Sequence, residues 1–111
     1  MRALRKEEID LICFILKDKP DFARITNDLK NDLVKAMNDG GMGSLKFYPK
    51  DDNVRTFGRQ IAEINLSDVD GVPLSITINI DNNGDIFELD IWKVDFSPLK
   101  QFPIYPYVNE V

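Results

Sequence analysis

The chain has 111 residues, with 14 Lys and Arg against 19 Asp and Glu, no histidine and one cysteine. The lack of histidine excludes Ser-His-Asp and Cys-His catalysis and histidine-metal chemistry, and a single cysteine excludes an internal disulfide and a multi-cysteine zinc site. The net charge of −5 disfavours a nucleic-acid-binding surface, and the 43% of hydrophobic residues indicates one compact domain over residues 1–111.

The first residues carry no sign of a targeting or membrane-spanning segment. The apolar run over residues 9–16 is interrupted by Asp10 and is far shorter than the about 20 residues that a bilayer-spanning helix needs. A lone thiol fits a reducing compartment. The sequence therefore predicts a cytoplasmic protein without a membrane partner.

Helical spacing of apolar residues predicts two helices within about residues 6–38. The stripe of the first helix carries Ile9, Ile12, Cys13 and Leu16. Pro20 breaks the chain, and a second helix is predicted over residues 21–38, with Lys35 on its solvent side. The apolar face of this second helix holds Ile25, Leu29, Leu33, Ala36 and Met37. Glycines follow at residues 40–41, as is typical of a helix end.

From residue 44 the apolar spacing changes to two, which predicts a sheet over about residues 44–95. The four predicted strands cover about residues 45–48, 59–66, 74–80 and 86–94. Asp70-Gly71 and Asn83-Gly84 are hairpin signals that join neighbouring strands. In the last strand, parity places Phe87, Leu89 and Ile91 on the core side and Glu88, Asp90 and Trp92 on the opposite side.

The predicted fold class is α+β, in which two N-terminal helices pack on one face of a four-stranded antiparallel β-meander. Residues 97–111 form a tail that is rich in proline and aromatic residues. Proline is not accepted in a central strand, so this extended C-terminal tail is predicted to lie along the domain. No linker or internal repeat divides the chain.

Two stretches of the chain resemble a family of small bacterial proteins of unknown function. One is Asp39-Gly40-Gly41-Met42-Gly43-Ser44-Leu45, and the other is Glu88-Leu89-Asp90-Ile91-Trp92-Lys93-Val94-Asp95-Phe96-Ser97-Pro98-Leu99. The similarity extends over most of the chain, from the helix start near Leu4 to Leu99. Small acidic proteins of this kind are similar to the immunity proteins of bacterial toxin systems, including contact-dependent growth inhibition. The resemblance therefore implies a cognate toxin as partner, and it brings no catalytic motif with it.

Acidic residues concentrate in the predicted sheet. Residues 60–95 hold eight acids against Lys93 alone, a local charge of −7. The candidate partner-binding residues are Glu63, Asp68, Asp70, Asp81, Asp85, Glu88, Asp90 and Trp92. Such a surface would steer a basic partner, for example the active-site groove of a nuclease, and reject wrong partners. The alternative is turn chemistry, since Asp and Asn are favoured in turns.

Trp92 shares the predicted outer face with Glu88 and Asp90. Tryptophan is enriched among the residues that dominate binding energy at interfaces, so Trp92 is a candidate anchor. Alternatively, the tail folds back over the indole, because the aromatic residues of the tail also need to be buried. Of these two hypotheses, the sequence favours the one in which residues 100–111 cover Trp92.

Several patterns point to enzymatic or ligand chemistry but are incomplete. Glu88 and Asp90 lie about 7 Å apart on one strand face, a separation compatible with glycoside hydrolysis or a divalent metal. Lys93 is one residue too far from Asp90 for an acid-x-Lys nuclease motif and falls on the opposite face. The turn over residues 81–85 lacks the glycine and glutamate of a calcium loop. The glycine run over residues 40–43 precedes a strand, the reverse of the phosphate-binding order, which favours a helix cap with a tight turn.

The residues and the resemblance together predict a non-enzymatic immunity protein that binds and neutralises a basic cognate toxin, with a nuclease as the expected target. It is expected to be a monomer before complex formation, with no catalytic residues, cofactor, metal or nucleic-acid partner. Two alternatives are a small metal-dependent hydrolase that uses Glu88 and Asp90, and a regulatory binding module without a toxin partner.

Overall fold

The computed structural model describes residues 1–50 and 54–107. In this part of the chain two short α-helices, α1 (Lys6–Leu16) and α2 (Ala23–Asp28), accompany one six-stranded sheet. Its strands are β1 (Arg2–Ala3), β2 (Leu33–Ala36), β3 (Leu45–Phe47), β4 (Phe57–Ser67), β5 (Pro73–Asp81) and β6 (Ile86–Lys93). Short 3₁₀ turns at Pro20–Phe22 and Leu29–Asn31 flank α2. All neighbouring strands are antiparallel, in the order β1-β2-β3-β6-β5-β4.

α1 begins where a buried carboxylate closes the preceding turn. The backbone N–H of Arg5 donates to Glu8 Oε1 at 2.7 Å, and the Arg2 guanidinium donates to both Glu8 oxygens at 2.8 Å. Burial acts to raise the pKa of Glu8, but these hydrogen bonds outweigh it and lower the pKa. The same bonds hold β1 against the start of the helix. Neither α1 nor any other helix of the described residues is long and apolar enough to cross a bilayer.

The α+β class is confirmed, but the predicted arrangement of two helices on a four-stranded meander is wrong. β4, β5 and β6 follow one another as hairpins, in agreement with their turn signals. β3 pairs with β6 instead of β4, and β2 and β1 extend the sheet beyond β3. The connection from β3 to β4 is too long to act as a tight hairpin turn, so the local sequence does not determine the partner of β3.

The helix predicted over residues 21–38 ends early. Helical turns continue only to Asn31, and Asp32 adopts φ −82° and ψ 150°, which is extended backbone. β2 follows, in which Val34 is buried and its neighbour Lys35 reaches the surface. The apolar spacing in this stretch is compatible with a helix, but hydrogen bonding of β2 to strands on both sides outweighs that local preference.

The sheet has one covered face and one open face. On the covered face, apolar side chains of α1 and α2 join those of the strands in a single core. The strand residues in this core include Val34, Leu45, Phe47, Ile76, Ile78, Leu89 and Ile91. Because side chains alternate along a strand, the residues between them point to the other side, which we call the open face. The open face carries Lys35, Lys46, Glu63, Thr77, Asn79, Glu88, Asp90 and Trp92.

A bulge in β6 changes the position of Phe87. The register passes from Asn79 opposite Glu88 directly to Ile80 opposite Ile86, which leaves Phe87 as an extra residue. Its half-buried ring lies beside open-face side chains, so the prediction that Phe87 lies on the core side is wrong. The other two core-side predictions for this strand, Leu89 and Ile91, are confirmed by their complete burial.

The glycine-rich loop joins β2 to β3, so the prediction of a helix cap is wrong. The Asp39 carboxylate closes the loop by accepting the backbone N–H groups of Met42 and Ser44, both at 3.0 Å. Gly43 has φ +95°, and a Cβ there would lie only 3.1 Å from the side chain of Leu99. The two segments that carry the family resemblance therefore pack against each other, and this close approach requires glycine.

Candidate functional site

Four of the eight predicted partner-binding residues form ion pairs within the chain: Asp68, Asp70, Asp81 and Asp85. All four acids lie in or next to turns, and the carboxylates of three of them, Asp68, Asp70 and Asp81, also accept backbone N–H groups. In the free protein these four acids thus make the contacts that are expected if they stabilise turns, which was the alternative to partner binding. Their role in partner binding stays a prediction.

Asp68 is buried beneath the turn between β4 and β5. Its Oδ2 accepts from Lys93 Nζ at 2.8 Å and from the backbone N–H of Lys100 at 2.7 Å, and its Oδ1 accepts from the N–H of Gln101 at 3.2 Å. Burial acts to raise the pKa of Asp68, but these hydrogen bonds outweigh it and lower the pKa. One carboxylate thus ties the last strand and the start of the tail to the β4–β5 turn.

Lys93 projects from β6 to the covered side of the sheet and is fully buried. Its Nζ also donates to Asp70 Oδ2 at 2.7 Å and to the Pro98 carbonyl at 3.2 Å. Burial acts to lower the pKa of Lys93, and its two carboxylate partners outweigh that effect and raise the pKa. Its burial on the covered side confirms that Lys93 faces away from Asp90.

Two arginines pair with the acids of the β5–β6 turn. Arg55 Nε donates to Asp81 Oδ2 at 2.9 Å, and the other oxygen of Asp81 accepts the N–H groups of Asn83 and Asp85. The Arg24 guanidinium donates to Asp85 at 3.0 Å. This segment is a turn closed by its own first carboxylate, in agreement with the sequence prediction.

The remaining predicted residues, Glu63, Glu88, Asp90 and Trp92, share the open face, and we call them the Trp92 patch. Glu63 lies opposite Thr77, which lies opposite Asp90 on the next strand, and Trp92 lies opposite Ser75. Neighbouring strands are about 4.8 Å apart, so Glu63 and Asp90 originate about 10 Å apart on one surface. The fold therefore places three carboxylates and one indole on one face, with Glu63 and Asp90 nearer to Trp92 than Glu88 is.

The indole of Trp92 is 48% exposed. Its closest aromatic neighbour is Phe96, which is 69% exposed, with ring centroids 5.9 Å apart. Phe96 follows the end of β6 and adopts φ +64°, an uncommon conformation for a residue with a Cβ. The two rings form an apolar centre at one end of the open face.

The described part of the tail does not cover Trp92. Lys100 and Gln101 are held by Asp68, which directs the tail to the covered side of the sheet. Phe102 then packs against the core, and the Tyr107 ring lies 4.6 Å from an aromatic ring of α1. The prediction that the tail covers the indole is therefore wrong up to Tyr107, and the last four residues lie outside the described part of the chain.

Glu88 and Asp90 are the acids of the hydrolase alternative. Glu88 Oε1 accepts from Asn79 Nδ2 at 2.8 Å, and Asp90 Oδ1 accepts from the Ser44 hydroxyl at 3.3 Å. In the described part of the chain, no three Cys, Asp or Glu side chains are grouped to hold a metal ion. The pair thus lies on a sheet surface, where each acid is hydrogen-bonded by an uncharged side chain.

Sequence reasoning missed a basic group at the other end of the open face. Lys35 and Lys46 are directly opposed on β2 and β3. Lys46 Nζ lies 5.0 Å from the ring centroid of Phe87, and the Arg55 guanidinium lies 4.8 Å from it. Because the sequence predicted a helix through residue 38, Lys35 was not expected to lie on a strand beside Lys46. The residues of β2 alternate neither in polarity nor in burial, since Leu33 and Ala36 are exposed apolar residues beside the buried Val34, so the sequence held no clear signal for this strand.

Comparison with curated proteins and with solved structures found no similar protein. The model of a family described as a domain of unknown function, DUF6984, matches residues 1–103. The match includes residues 39–45 and 88–99, the two segments on which the resemblance rests, so membership of a family of unknown function is confirmed. The chain belongs to the DUF6984 family.

Proposed function

We propose that the protein is an immunity protein that binds a cognate toxin through the Trp92 patch and thereby blocks the activity of the toxin. The observation that carries the proposal is the half-exposed indole of Trp92, with Phe96 beside it and three carboxylates on the same sheet face. The resemblance of small acidic proteins of this kind to the immunity proteins of bacterial toxin systems supports the choice of partner.

The apolar centre of this patch has the composition of an interface core. Trp92 and Phe96 are packed together yet remain largely in contact with water. Burying such aromatic side chains against a partner supplies much of the binding energy of protein interfaces, and a rim of polar groups excludes water around them. Glu63, Glu88 and Asp90 provide polar groups of this kind.

The charge of the patch favours a basic partner. Glu63, Glu88 and Asp90 form no ion pair among the described residues, whereas the acids of the two turns are neutralised by lysine or arginine. The negative charge next to the indole is that of Glu63, which accepts from Ser75 opposite Trp92, and of Asp90, whereas Glu88 lies farther along the strand, opposite Lys46. A toxin with a cationic active-site groove, such as a nuclease, would be attracted to this end of the sheet.

The test is co-expression with the toxin domain that we expect the neighbouring gene to encode. We expect the protein to restore growth to cells that make the toxin domain, and the two purified proteins to form a stable complex. A neighbouring gene without a toxin domain, or a toxin domain that the protein neither binds nor neutralises, would contradict the proposal.

Neutralising the three acids in the variant E63Q/E88Q/D90N is expected to slow association with the toxin domain. The loss should be about tenfold or more at low salt and much smaller near 0.15 M salt, because screening already weakens steering there. Stopped-flow measurements of the association rate at several salt concentrations give this result directly.

The matched control is E7Q/D18N/D21N, which changes the net charge equally on α1 and the turn after it. This variant should associate more nearly like the unmodified protein. Equal slowing in both triple variants would assign the effect to overall charge and would remove the Trp92 patch as the steering site.

The hydrolase alternative, which uses Glu88 and Asp90, makes the opposite prediction about activity. We expect the purified protein to leave RNA, DNA, phosphoesters and glycosides unchanged in the presence of Mg²⁺, Mn²⁺ or Ca²⁺. Turnover that Glu88→Gln or Asp90→Asn abolishes would favour the hydrolase. Specific binding through the Trp92 patch to a partner that is not a toxin would favour the regulatory module.

A further inference from the structure

A groove of about 380 Å³ lies at the end of the open face that is formed by β2, β3 and the start of β6. Its lining residues are Lys35, Lys46, Phe47, Tyr48, Pro49, Arg55 and Phe87. Sites for small ligands have volumes of roughly 300–1,000 Å³ and combine apolar walls with a few charged groups. The groove meets both criteria, and its cationic lining distinguishes it from the Trp92 patch.

Two lysines at this groove are placed unfavourably for stability. Lys35 and Lys46 are directly opposed on neighbouring strands, where side-chain origins are only about 5 Å apart and like charges destabilise the pair. Glu88 is the partner of Lys46 on the other side, but Glu88 accepts its hydrogen bond from Asn79. Among the described residues, neither lysine forms an ion pair.

Aromatic contacts hold the positive charge at the groove. Lys46 Nζ lies 5.0 Å from the centroid of Phe87, within the range of a cation–π contact. Arg55 approaches the same ring, but its guanidinium is already bonded to the Asp81 carboxylate and to two backbone carbonyls. Among the residues that the structure describes, the positive charges of the groove that no carboxylate pairs with are therefore those of Lys35 and Lys46.

We propose that this groove binds a small organic anion with a planar apolar body. Its carboxylate or phosphate group lies between Lys35 and Lys46, and its apolar body lies against Tyr48 and Pro49. The anionic group offsets the repulsion between the lysines, and hydrogen bonds between ionised groups are the strong kind. The apolar body gains free energy from burial against the aromatic walls. This inference is independent of the immunity proposal, because it uses other residues.

The experiment is an NMR titration of the ¹⁵N-labelled full chain with benzoate, phenyl phosphate and uncharged benzamide. Both anions are expected to shift the backbone amides of β2, β3 and Phe87. They should also bind at least about tenfold more tightly than benzamide, a ratio that one good charged contact supplies. Tighter binding of phenyl phosphate assigns the groove to phosphate ligands, and tighter binding of benzoate assigns it to carboxylates.

The variant K35Q/K46Q removes both charges and keeps side chains of similar length on β2 and β3. We expect at least about a tenfold loss of affinity for the two anions, with little change for benzamide. The control K30Q/K100Q removes two exposed lysines outside the groove and should bind the anions like the unmodified protein.

Four results would overturn the proposal. They are no shifts with either anion at millimolar concentrations, equal affinity for benzamide, an unchanged affinity for the anions in K35Q/K46Q, and an equal loss of affinity in K30Q/K100Q. The comparison of charged and uncharged probes uses the unmodified protein, so it decides the question even if the double variant unfolds.

Discussion

Replacing Asp68 with alanine is expected to lower the free energy of unfolding by about 3–5 kcal/mol. The substitution leaves the buried Lys93 ammonium without one of its two carboxylates and removes the acceptor of the Lys100 and Gln101 backbone amides. Small domains have only about 5–15 kcal/mol of stability in total, so this is a large fraction. Urea denaturation followed by Trp92 fluorescence measures the loss.

The pH dependence of this effect identifies its electrostatic origin. Because the pKa of Asp68 is lowered on folding, its contribution to stability is complete above the unfolded value of about 3.9 and is lost as pH falls through the folded value. The difference between the unmodified protein and Asp68→Ala should therefore be constant near neutral pH and should shrink in acid.

Asp18→Ala is the control for this stability experiment, since Asp18 is an exposed acid. Its removal should leave the free energy of unfolding nearly unchanged. An equally small loss for Asp68→Ala would mean that the buried ion pair is not needed to hold the tail and the β4–β5 turn together.

The hairpins from β4 to β6 were predictable from the sequence because their turns are local signals. Asp70-Gly71 and Asn83-Gly84 join strands whose apolar side chains meet on one face. The position of β3 was not predictable, since its partner β6 comes much later in the chain. Turn residues and apolar periodicity do not specify which strand β3 pairs with, because that pairing depends on contacts between distant parts of the chain.

The prediction of the candidate site from charged residues was limited for the same reason, because it used only the local sequence. Residues 60–95 have a formal charge of −7, but Arg55 and Arg24 lie outside this window and pair with Asp81 and Asp85. A local count of charge cannot include partners that only the fold brings close. Strand parity is a local property, and it correctly placed the acids and the indole of the last strand opposite the core.

Replacing Trp92 with alanine is expected to weaken binding of the cognate toxin by about 2–4 kcal/mol, or roughly 30- to 1,000-fold. The indole lies beside Phe96 on the same face as Glu63, Glu88 and Asp90, and it forms the apolar part of the proposed interface. Since the ring is already 48% exposed in the free protein, its loss should affect folding much less than Asp68→Ala. Calorimetric titration and growth protection measure the two consequences for function.

Tyr105→Ala is the matched aromatic control, because that ring is 73% exposed but lies beside Lys6 and Asp10 of α1. This variant should bind the toxin domain like the unmodified protein. A larger loss of affinity in Tyr105→Ala than in Trp92→Ala would move the interface to the α1 side.

Rate constants distinguish the role of the indole from that of the carboxylates in the Trp92 patch. Loss of the indole should mainly raise the dissociation rate, whereas loss of Glu63, Glu88 and Asp90 should mainly lower the association rate, because short-range packing acts after encounter and charge acts before it.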